Sequence, residues 1–171
     1  LVWIAGSTHE GEEEILLGIH QELRSRYPDL LLILAPRNVQ RAQSVAELCD
    51  RYAMSVAFRS KEQSAEGKAV YLLDTLGELS FFYALAEAAF IGGSLVSFGG
   101  HNPLEAVAQG KPALWGPHLF NFREIEVGLI ETGHGKRVPS REELGDLLDL
   151  YLKQANRRQD FPKGTQQHLA T

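Results

Sequence analysis

Short, almost wholly apolar runs alternate with longer amphipathic stretches along this chain. This alternation predicts seven strands, most of them nearly all apolar, over residues 1–5, 30–34, 56–59, 69–73, 89–91, 113–115 and 136–138. Strands without a polar face are typical of a sheet that is covered by helices on both sides. Parallel pairing is favoured as well, because each parallel crossover needs a helix-sized connection. The pattern therefore predicts an α/β fold with a central, mainly parallel sheet.

The amphipathic stretches predict the helices that connect these strands. They cover residues 12–26, 41–52, 79–88 and 142–153, and another helix begins at Pro103. Residues 79–88 are nearly all apolar, so this helix is expected to be buried on most sides. Asn102 before Pro103 is a helix start signal, and Ser140 with Glu143 is a capping-box pattern.

Two further features concern the C-terminal third of the chain. Asn121 is expected to cap a helix that starts at Arg123. Helical periodicity is lost after Asn156, and this tail could pack on a further domain of a larger protein.

Composition and charge narrow the class of protein. With 171 residues, 44% of them hydrophobic, we expect a single domain over residues 1–171. A formal net charge of −5 disfavours nucleic acid as a partner. No apolar run could span a bilayer and no leader pattern is present, so the domain is expected to be soluble. The single Cys49 predicts a buried thiol in a reducing compartment, and an apolar start at Leu1 predicts a fragment of a larger protein.

Ligands of open α/β sheets collect at the carboxyl ends of the strands, and several candidate residues follow predicted strands. After the first strand, Gly6-Ser7-Thr8-His9 could receive a phosphate or carboxylate on free amides, or Ser7 or Thr8 could simply cap the next helix. After the second strand, Pro36 precedes Arg37, whose planar guanidinium suits phosphate oxygens, unless it is only a solvated surface group.

Residues 74–78 follow the fourth strand and contain a glycine. Gly77 would let the backbone approach a flat ring closely, because glycine has no Cβ. The spacing alone favours a simple turn in which Asp74 or Thr75 caps the next helix.

The densest signal lies in two glycine pairs, Gly92-Gly93-Ser94 and Gly99-Gly100-His101, which lead into the helix at Pro103. Exposed amides beside a helix start favour negative charge and predict a phosphate or carboxylate cradle. Neither a G-x-G-x-x-G nor a G-x-x-x-x-G-K-[ST] pattern occurs, so the segment does not support nicotinamide, flavin or P-loop binding.

Two polar side chains of this segment have alternative interpretations. Glu105 could close a capping box on Asn102, or accept hydrogen bonds from two adjacent sugar hydroxyls. His101 could donate to an anion or pack the loop. No partner at metal-ligand spacing accompanies it, so metal binding is not expected.

Five segments, in this order, resemble the C-terminal domain of the 3-deoxy-D-manno-octulosonic acid (Kdo) transferases. They are GSTHEGEE at 6–13, APR at 35–37, GGS at 92–94, GGHNPLE at 99–105 and GPHLFNF at 116–122. The resemblance spans nearly the whole chain. It implies a Rossmann-like three-layer sandwich that forms the C-terminal half of a two-domain GT-B glycosyltransferase, so that residues 1–171 would be its nucleotide-sugar-binding domain.

The resemblance also implies roles for individual residues. The residues implied to bind the CMP moiety are Pro36, Arg37, Leu76, Gly77, Glu78, Asn102, Pro103, Leu104 and Glu105, with Arg37 on the phosphate and Glu105 on the ribose hydroxyls. Contacts to the sugar or its loop are expected from Ser7, Gly92, Gly93, Ser94 and His101. The chain departs from the family pattern at Asn38-Val39, where a histidine would be expected, and at Ala106, where a proline is common.

The resemblance implies that the full-length enzyme moves Kdo from CMP-Kdo to a lipid A precursor in lipopolysaccharide biosynthesis, on the cytoplasmic face of the bacterial inner membrane. The family's catalytic base lies in the N-terminal domain, so no catalytic residue is expected here and the isolated fragment should be inactive. Contact with the acceptor and the membrane would come through that absent half. No cofactor and no metal are expected, because one guanidinium and helix amides can neutralise a departing monophosphate.

Two alternatives compete with this hypothesis. The chain could be the donor domain of another sugar-nucleotide enzyme of the same architecture, such as a UDP-sugar transferase or epimerase, which would need to accommodate a diphosphate. It could also be a non-catalytic Rossmann-like interaction module, which would bind no nucleotide.

Overall fold

The computed structural model describes residues 1–159 and contains all seven predicted strands in one sheet. The strands are β1 (Val2–Thr8), β2 (Leu31–Pro36), β3 (Val56–Phe58), β4 (Val70–Leu72), β5 (Ala89–Ile91), β6 (Ala113–Trp115) and β7 (Gly135–Arg137). Their order is β3-β4-β2-β1-β5-β6-β7, and every pairing is parallel. The order reverses between β1 and β5, which makes this junction the expected ligand crevice.

The described residues form six helices, five of which lie between strands, while the last one follows β7. They are α1 (Glu12–Arg24), α2 (Ala42–Arg51), α3 (Leu79–Tyr83), α4 (Leu104–Ala108), α5 (Arg123–Thr132) and α6 (Arg141–Gln159). Short 3-10 turns occupy Val39–Arg41 and Phe120–Phe122. The predicted mixture of helices and parallel strands is confirmed.

Two apolar cores lie on opposite faces of the sheet. Trp3 of β1 packs into the core formed with α1, α2 and α6, whereas the adjacent Ile4 packs into the core formed with α3, α4 and α5. Side chains of neighbouring strand residues point to opposite faces, so β1 contributes to both cores. The three-layer sandwich is therefore confirmed, with β1 at its centre.

Strand β1 is longer than predicted and ends in an irregularity. Gly6 pairs with Ala35 and Thr8 pairs with Pro36, so the register shifts at Ser7, which has a φ of 55°. A bulge of this kind redirects the strand end. It brings Ser7 to the carboxyl edge of the sheet as part of the strand rather than of a loop.

The prediction of a long, buried helix over 79–88 is wrong. Helix α3 ends at Tyr83, and Phe81 and Leu85 are 65% and 50% exposed. The chain has to enter β5 at Ala89, and the amide of Glu87 already donates to a carbonyl of β1. The apolar composition reflects a single buried face, formed by Phe82 and Tyr83.

Of the helix caps predicted in the C-terminal third of the chain, the one at α6 is confirmed and the one at α5 is not. Ser140 Oγ accepts from the amide of Glu143 at 3.2 Å, and α6 continues to Gln159, past the predicted loss of periodicity at Asn156. The rest of that tail lies outside the described residues. Helix α5 starts at Arg123 without a side-chain cap, because Asn121 donates to the carbonyl of Phe98 instead. The prediction that Asn121 caps α5 is therefore wrong.

Two expectations about burial and membranes can be compared with the structure. Cys49 is a buried free thiol, and burial raises its pKa to about 12. Among residues 1–159, none of the helices has the length and apolar character needed to cross a bilayer.

Candidate functional site

A pocket of about 390 Å³ opens at the carboxyl edge of the sheet, next to the junction of β1 and β5. It brings together six of the residues that the sequence singled out: Ser7, Arg37, Gly77, His101, Asn102 and Glu105. Ser7 lies at the end of β1, Arg37 and Gly77 follow β2 and β4, and the other three residues follow β5. The size is within the range of small-molecule sites.

Arg37 supplies an available positive charge to this pocket. Its amide donates to the carbonyl of Thr8 at 2.9 Å, which fixes the backbone directly after the buried Pro36. The side chain is exposed and forms no hydrogen bond or ion pair with any other residue in 1–159. The guanidinium can therefore bind an oxyanion without first breaking an internal ion pair.

Glu105 lines the same pocket and is also unengaged. Its exposed carboxylate forms no hydrogen bond within the described part of the chain, so the capping-box interpretation is wrong. The cap at this position is local: Asn102 Oδ1 accepts from the amide of Leu104 at 3.0 Å. Pro103 is buried and Leu104 is exposed, and neither is among the residues that line the pocket.

The loop between β4 and α3 presents Gly77 to the pocket. Gly77 has a φ of +80°, a conformation that favours glycine, and Leu76 beside it is 76% exposed without lining the pocket. The Glu78 carboxylate is turned to Arg59, whose guanidinium donates to it at 2.9 and 3.2 Å. Glu78 also accepts from the hydroxyl of Thr75 at 2.7 Å. Its side chain thus braces the loop.

These contacts also decide the alternative interpretation of that loop. Helix α3 has no side-chain cap, so the prediction that Asp74 or Thr75 caps it is wrong. Asp74 instead accepts from the amide and hydroxyl of Ser60, in the loop after β3. The loops after β3 and β4 are therefore held together by Ser60–Asp74 and by Arg59–Glu78.

Gly92, Gly93 and Ser94 form the packed layer behind the pocket rather than its lining. A Cβ on Gly92 would lie 2.1 Å from the carbonyl oxygen of Ser7, which shows how closely the two backbones approach. Ser94 Oγ donates to the carbonyl of Ile91 at 2.5 Å and accepts from the amide of Gly116 at 2.9 Å. The segment joins β1, β5 and β6 at their carboxyl ends.

Glu12 fastens this layer to the first helix. Its buried carboxylate accepts from the amides of His9, Gly93 and Leu95 at 2.9, 2.6 and 3.1 Å. Burial raises the pKa of Glu12, while the three amide bonds oppose that shift. Neither Ser7 nor Thr8 caps α1, contrary to the alternative interpretation of that segment, because Gly11 occupies the cap position and the Thr8 hydroxyl donates to Glu13.

His9 and His101 meet at the rim of the pocket, although 92 residues separate them. Their Nε2 atoms are 2.7 Å apart, and both rings stack with Phe98. Burial lowers the pKa of His101 to about 4, with further contributions from His9 and Arg37. Sequence reasoning left His9 without a role and His101 without a partner, because no local spacing indicates this contact.

Of the remaining pocket residues, sequence reasoning missed Leu79, Ser80 and Tyr83, and it gave Phe122, in the segment 116–122, no binding role. Tyr83 is almost fully buried, yet its hydroxyl forms no hydrogen bond within residues 1–159. Burial raises the pKa of Tyr83, and the charge of Glu105 raises it further. Positions 79, 80 and 83 share one helix face, so the helical period after Gly77 was the available signal.

The sequence of the chain is similar to those of several known enzymes. No family model matches the chain. A 3-deoxy-D-manno-octulosonic acid transferase of Haemophilus influenzae is 47% identical over 132 residues, covering 77% of this chain and 31% of the relative. One of Bordetella pertussis is 37% identical over 158 residues, covering 89% and 37%. The chain thus spans about a third of the length of these curated relatives.

The fold is also similar to those of solved transferase domains. The C-terminal CMP-Kdo binding domain of WaaA from Acinetobacter baumannii superposes with a TM-score of 0.85 at 32% identity, covering 99% of this chain and 85% of that one. The C-terminal domain of a group 1 glycosyl transferase (LpcC) from Francisella tularensis has a TM-score of 0.57 at 14% identity, over 89% and 74% of the two chains. The second likeness concerns the fold alone.

Proposed function

This chain belongs to the 3-deoxy-D-manno-octulosonic acid (Kdo) transferase family, and on that premise we propose that its pocket binds the donor CMP-Kdo. The observation that carries the proposal is that Arg37 and Glu105 line one pocket and that neither side chain is engaged within residues 1–159. A nucleoside monophosphate needs one group for its phosphate and another for its ribose hydroxyls. The two free side chains supply both.

The phosphate is assigned to the side of the pocket that Arg37 lines. Guanidinium–phosphate hydrogen bonds are charge-assisted and often bidentate, so one arginine can hold a monophosphate firmly. Ser7 and His101 line the same pocket and can donate further hydrogen bonds. On this proposal the phosphate requires no divalent metal, and no cofactor takes part.

The ribose is assigned to Glu105 and the base to the Gly77 loop. A carboxylate can accept hydrogen bonds from two adjacent hydroxyls through its two oxygens. Gly77 presents bare backbone to the pocket, which suits the flat face or edge of a base. The Arg59–Glu78 pair holds this loop, so Glu78 contributes its backbone and its bracing side chain.

The Kdo moiety is assigned to the region of Ser7 and the histidine pair, His9 and His101. Kdo carries a carboxylate, and a second anionic group benefits from hydrogen-bond donors near Arg37. Gly92, Gly93 and Ser94 then act from behind, since they hold the bulged end of β1 in place.

For the whole enzyme, we propose transfer of Kdo from CMP-Kdo to a lipid A precursor at the cytoplasmic face of the inner membrane. A carboxylate base from the rest of the parent chain would deprotonate the acceptor hydroxyl, and this domain would stabilise the departing CMP. Acceptor and membrane contacts would belong to that other part. The isolated chain would bind the donor without transferring the sugar.

Calorimetric titration of the chain with CMP, UMP and UDP tests the proposal. Saturable binding of CMP that is tighter than binding of UDP is expected, since the pocket offers one guanidinium for one phosphate, and UMP tests whether the base adds selectivity. Tighter binding of UDP would favour a UDP-sugar enzyme. No binding of any of the three would favour an interaction module.

A further inference from the structure

The His9 and His101 rings form one hydrogen-bonded unit, the histidine pair. Their Nε2 atoms are 2.7 Å apart, and the ring planes are within 6° of parallel. His9 belongs to the loop between β1 and α1, and His101 belongs to the loop between β5 and α4. The pair thus bridges the junction of β1 and β5, and His101 lines the pocket beside Arg37.

The geometry limits how many protons the pair can hold. Two Nε2 atoms in hydrogen-bond contact require one proton between them, donated by one ring and accepted by the lone pair of the other. A further proton can be added at Nδ1 of the donating ring without loss of this bond, because neither Nδ1 atom bonds another residue within 1–159. A second added proton would have to bind the accepting Nε2, so that the Nε2–H groups of the two rings would face each other and the hydrogen bond would be lost. The pair can therefore accept a single positive charge.

Charges from several elements determine whether that proton is bound. Glu13 of α1 favours it, whereas Arg37 after β2 and Arg41 before α2 oppose it. Glu13 is partly neutralised by Arg41, whose guanidinium lies 2.8 Å from its Oε1. Burial lowers the pKa of both rings, to about 4 in the case of His101. The free pair is thus neutral at pH 7, and a new negative charge nearby would favour binding of the proton.

We propose that the histidine pair takes up one proton when an anion binds beside Arg37, and so becomes the second cation of the donor site. This inference rests on the proposed function. The anion adds negative charge to that of Glu105, which lines the same pocket, and the pair supplies a positive charge that does not have to be buried while the pocket is empty. An opposite charge within hydrogen-bonding range raises a histidine pKa by about one to three units.

Proton uptake makes anion affinity dependent on pH. Between the pKa of the free pair and that of the bound pair, the affinity should fall by up to about tenfold for each unit of rising pH. Sulfate is the suitable probe, because it remains a dianion between about pH 5 and 8, where histidine titrates. CMP is a second probe whose own phosphate titrates in that range, so it is compared with neutral cytidine.

Ring NMR of the chain with labelled histidines tests the proposal directly, at constant ionic strength. The titration midpoint of the pair is expected to rise by at least about one pH unit with saturating sulfate or CMP, and not with cytidine. His134 directly precedes β7, so it lies at the amino end of a strand, whereas the pocket lies at the carboxyl ends. It serves as a reference in the same sample. Binding itself is followed through the amide signals of Arg37 and Asn102.

The outcomes separate this inference from the proposed function. If CMP binds and the midpoint does not move, proton uptake is overturned and donor binding stands. If sulfate raises the midpoint but CMP does not bind, proton uptake stands and the nucleotide proposal fails. If neither sulfate nor CMP binds, both are overturned.

A double variant distinguishes proton uptake from a packing role. His9→Gln with His101→Gln keeps hydrogen-bonding side chains but cannot hold the charge, so its sulfate affinity should no longer vary with pH. His134→Gln is the matched control and should keep the wild-type dependence. If the pair had a purely structural role, the double variant would bind sulfate more weakly by the same factor at every pH. The dependence of sulfate affinity on pH would then be the same as in the wild type, which would contradict the proposal.

Discussion

The carboxylate of Glu12 accepts a hydrogen bond from the amide of Gly93 at 2.6 Å, across 81 residues of sequence. The same side chain also binds the amides of His9 and Leu95. One buried anion therefore sets the distance between the loop after β1 and the loop after β5. Because the end of β1 and the loop after β5 line the pocket, the position of this carboxylate helps to determine the shape of the site.

Replacement of Glu12 by Gln should destabilise the fold. A glutamine oxygen can keep the bonds to His9 and Gly93, but its NH2 group would then face the N–H of Leu95. We expect a loss of about 1 to 3 kcal/mol in the free energy of unfolding, measured by urea denaturation. Glu14→Gln, an exposed position in the same helical turn, is the control and should be neutral. Equal stability of the two variants would contradict the role given to Glu12.

Replacement of Arg37 by Ala should weaken CMP binding without destabilising the fold. The guanidinium has no internal partner among residues 1–159, so its loss leaves no buried group unpaired. A charge-assisted hydrogen bond to phosphate is worth about 1.5 to 3 kcal/mol, which corresponds to a loss of affinity of about ten- to hundredfold. Calorimetry measures the affinity, thermal unfolding checks the fold, and Arg51→Ala, at an exposed position of α2, is the control. Unchanged affinity would exclude Arg37 from the phosphate site.

Replacement of Glu105 by Ala should remove the preference for ribose over deoxyribose. The wild-type chain is expected to bind CMP about tenfold or more tightly than 2′-deoxy-CMP, because Glu105 accepts from the 2′-hydroxyl. The variant should bind the two ligands equally, with unchanged thermal stability. Glu131→Ala, at an exposed position of α5, should keep the wild-type preference. A preference that survives in Glu105→Ala would assign the hydroxyls to another group.

Two glycine substitutions should shift stability in opposite directions. Ala at position 92 places a Cβ 2.1 Å from the carbonyl oxygen of Ser7, and backbone cannot move aside as a side chain would. We expect a loss of about 2 to 3 kcal/mol, as for other overpacked cores. Ala at position 128, within α5 and in open space, should add roughly 0.5 to 1 kcal/mol through helix propensity. Chemical denaturation measures both, and a stable Gly92→Ala variant would contradict the close approach.

His20 should make the stability of the fold dependent on pH. Trp3 Nε1 donates to its Nδ1 at 3.0 Å and its Nε2 donates to the carbonyl of Ala69 at 2.8 Å, so the buried ring is neutral. Burial lowers its pKa to about 4, below the ordinary value of 6.5. The unfolded chain therefore binds the proton first, and stability is lost as the pH falls from about 6.5 towards 4, by about 3 kcal/mol in total.

The variant His20→Gln isolates this effect. Glutamine can accept from Trp3 and donate to Ala69 but does not titrate in this range. The difference in unfolding free energy between wild type and variant should therefore shrink as the pH falls, as measured by urea denaturation at several pH values. A difference that stays constant would show that His20 is not the titrating group.

Most of the strands could be predicted because their apolar runs are not broken by polar residues, and the strands found match the predicted ones to within a few residues. The location of the pocket could also be predicted, since parallel strands present their carboxyl ends at one edge. That rule placed Arg37, Gly77 and Glu105 at the same edge of the sheet. Their binding roles remain predictions.

The rest depends on contacts that no local pattern encodes. The meeting of His9 and His101 requires the register of β1 against β5, which is fixed only by the whole sheet. The resemblance implies that Glu78 binds the nucleotide, yet its carboxylate binds Arg59, a competition between partners that spacing cannot resolve. The limits of α3 were wrong because composition does not show where a helix has to end so that the chain can enter the next strand.

The central position of β1 divides the sheet, with β2, β4 and β3 on one side and β5, β6 and β7 on the other. Arg37 and Gly77 follow strands of the first set, and His101 and Glu105 follow a strand of the second. If the chain were severed between α3 and β5, the first piece would keep the guanidinium and the second the carboxylate. Neither piece alone would retain a complete site, and reassembly of the two along β1 would be the only way to regain one.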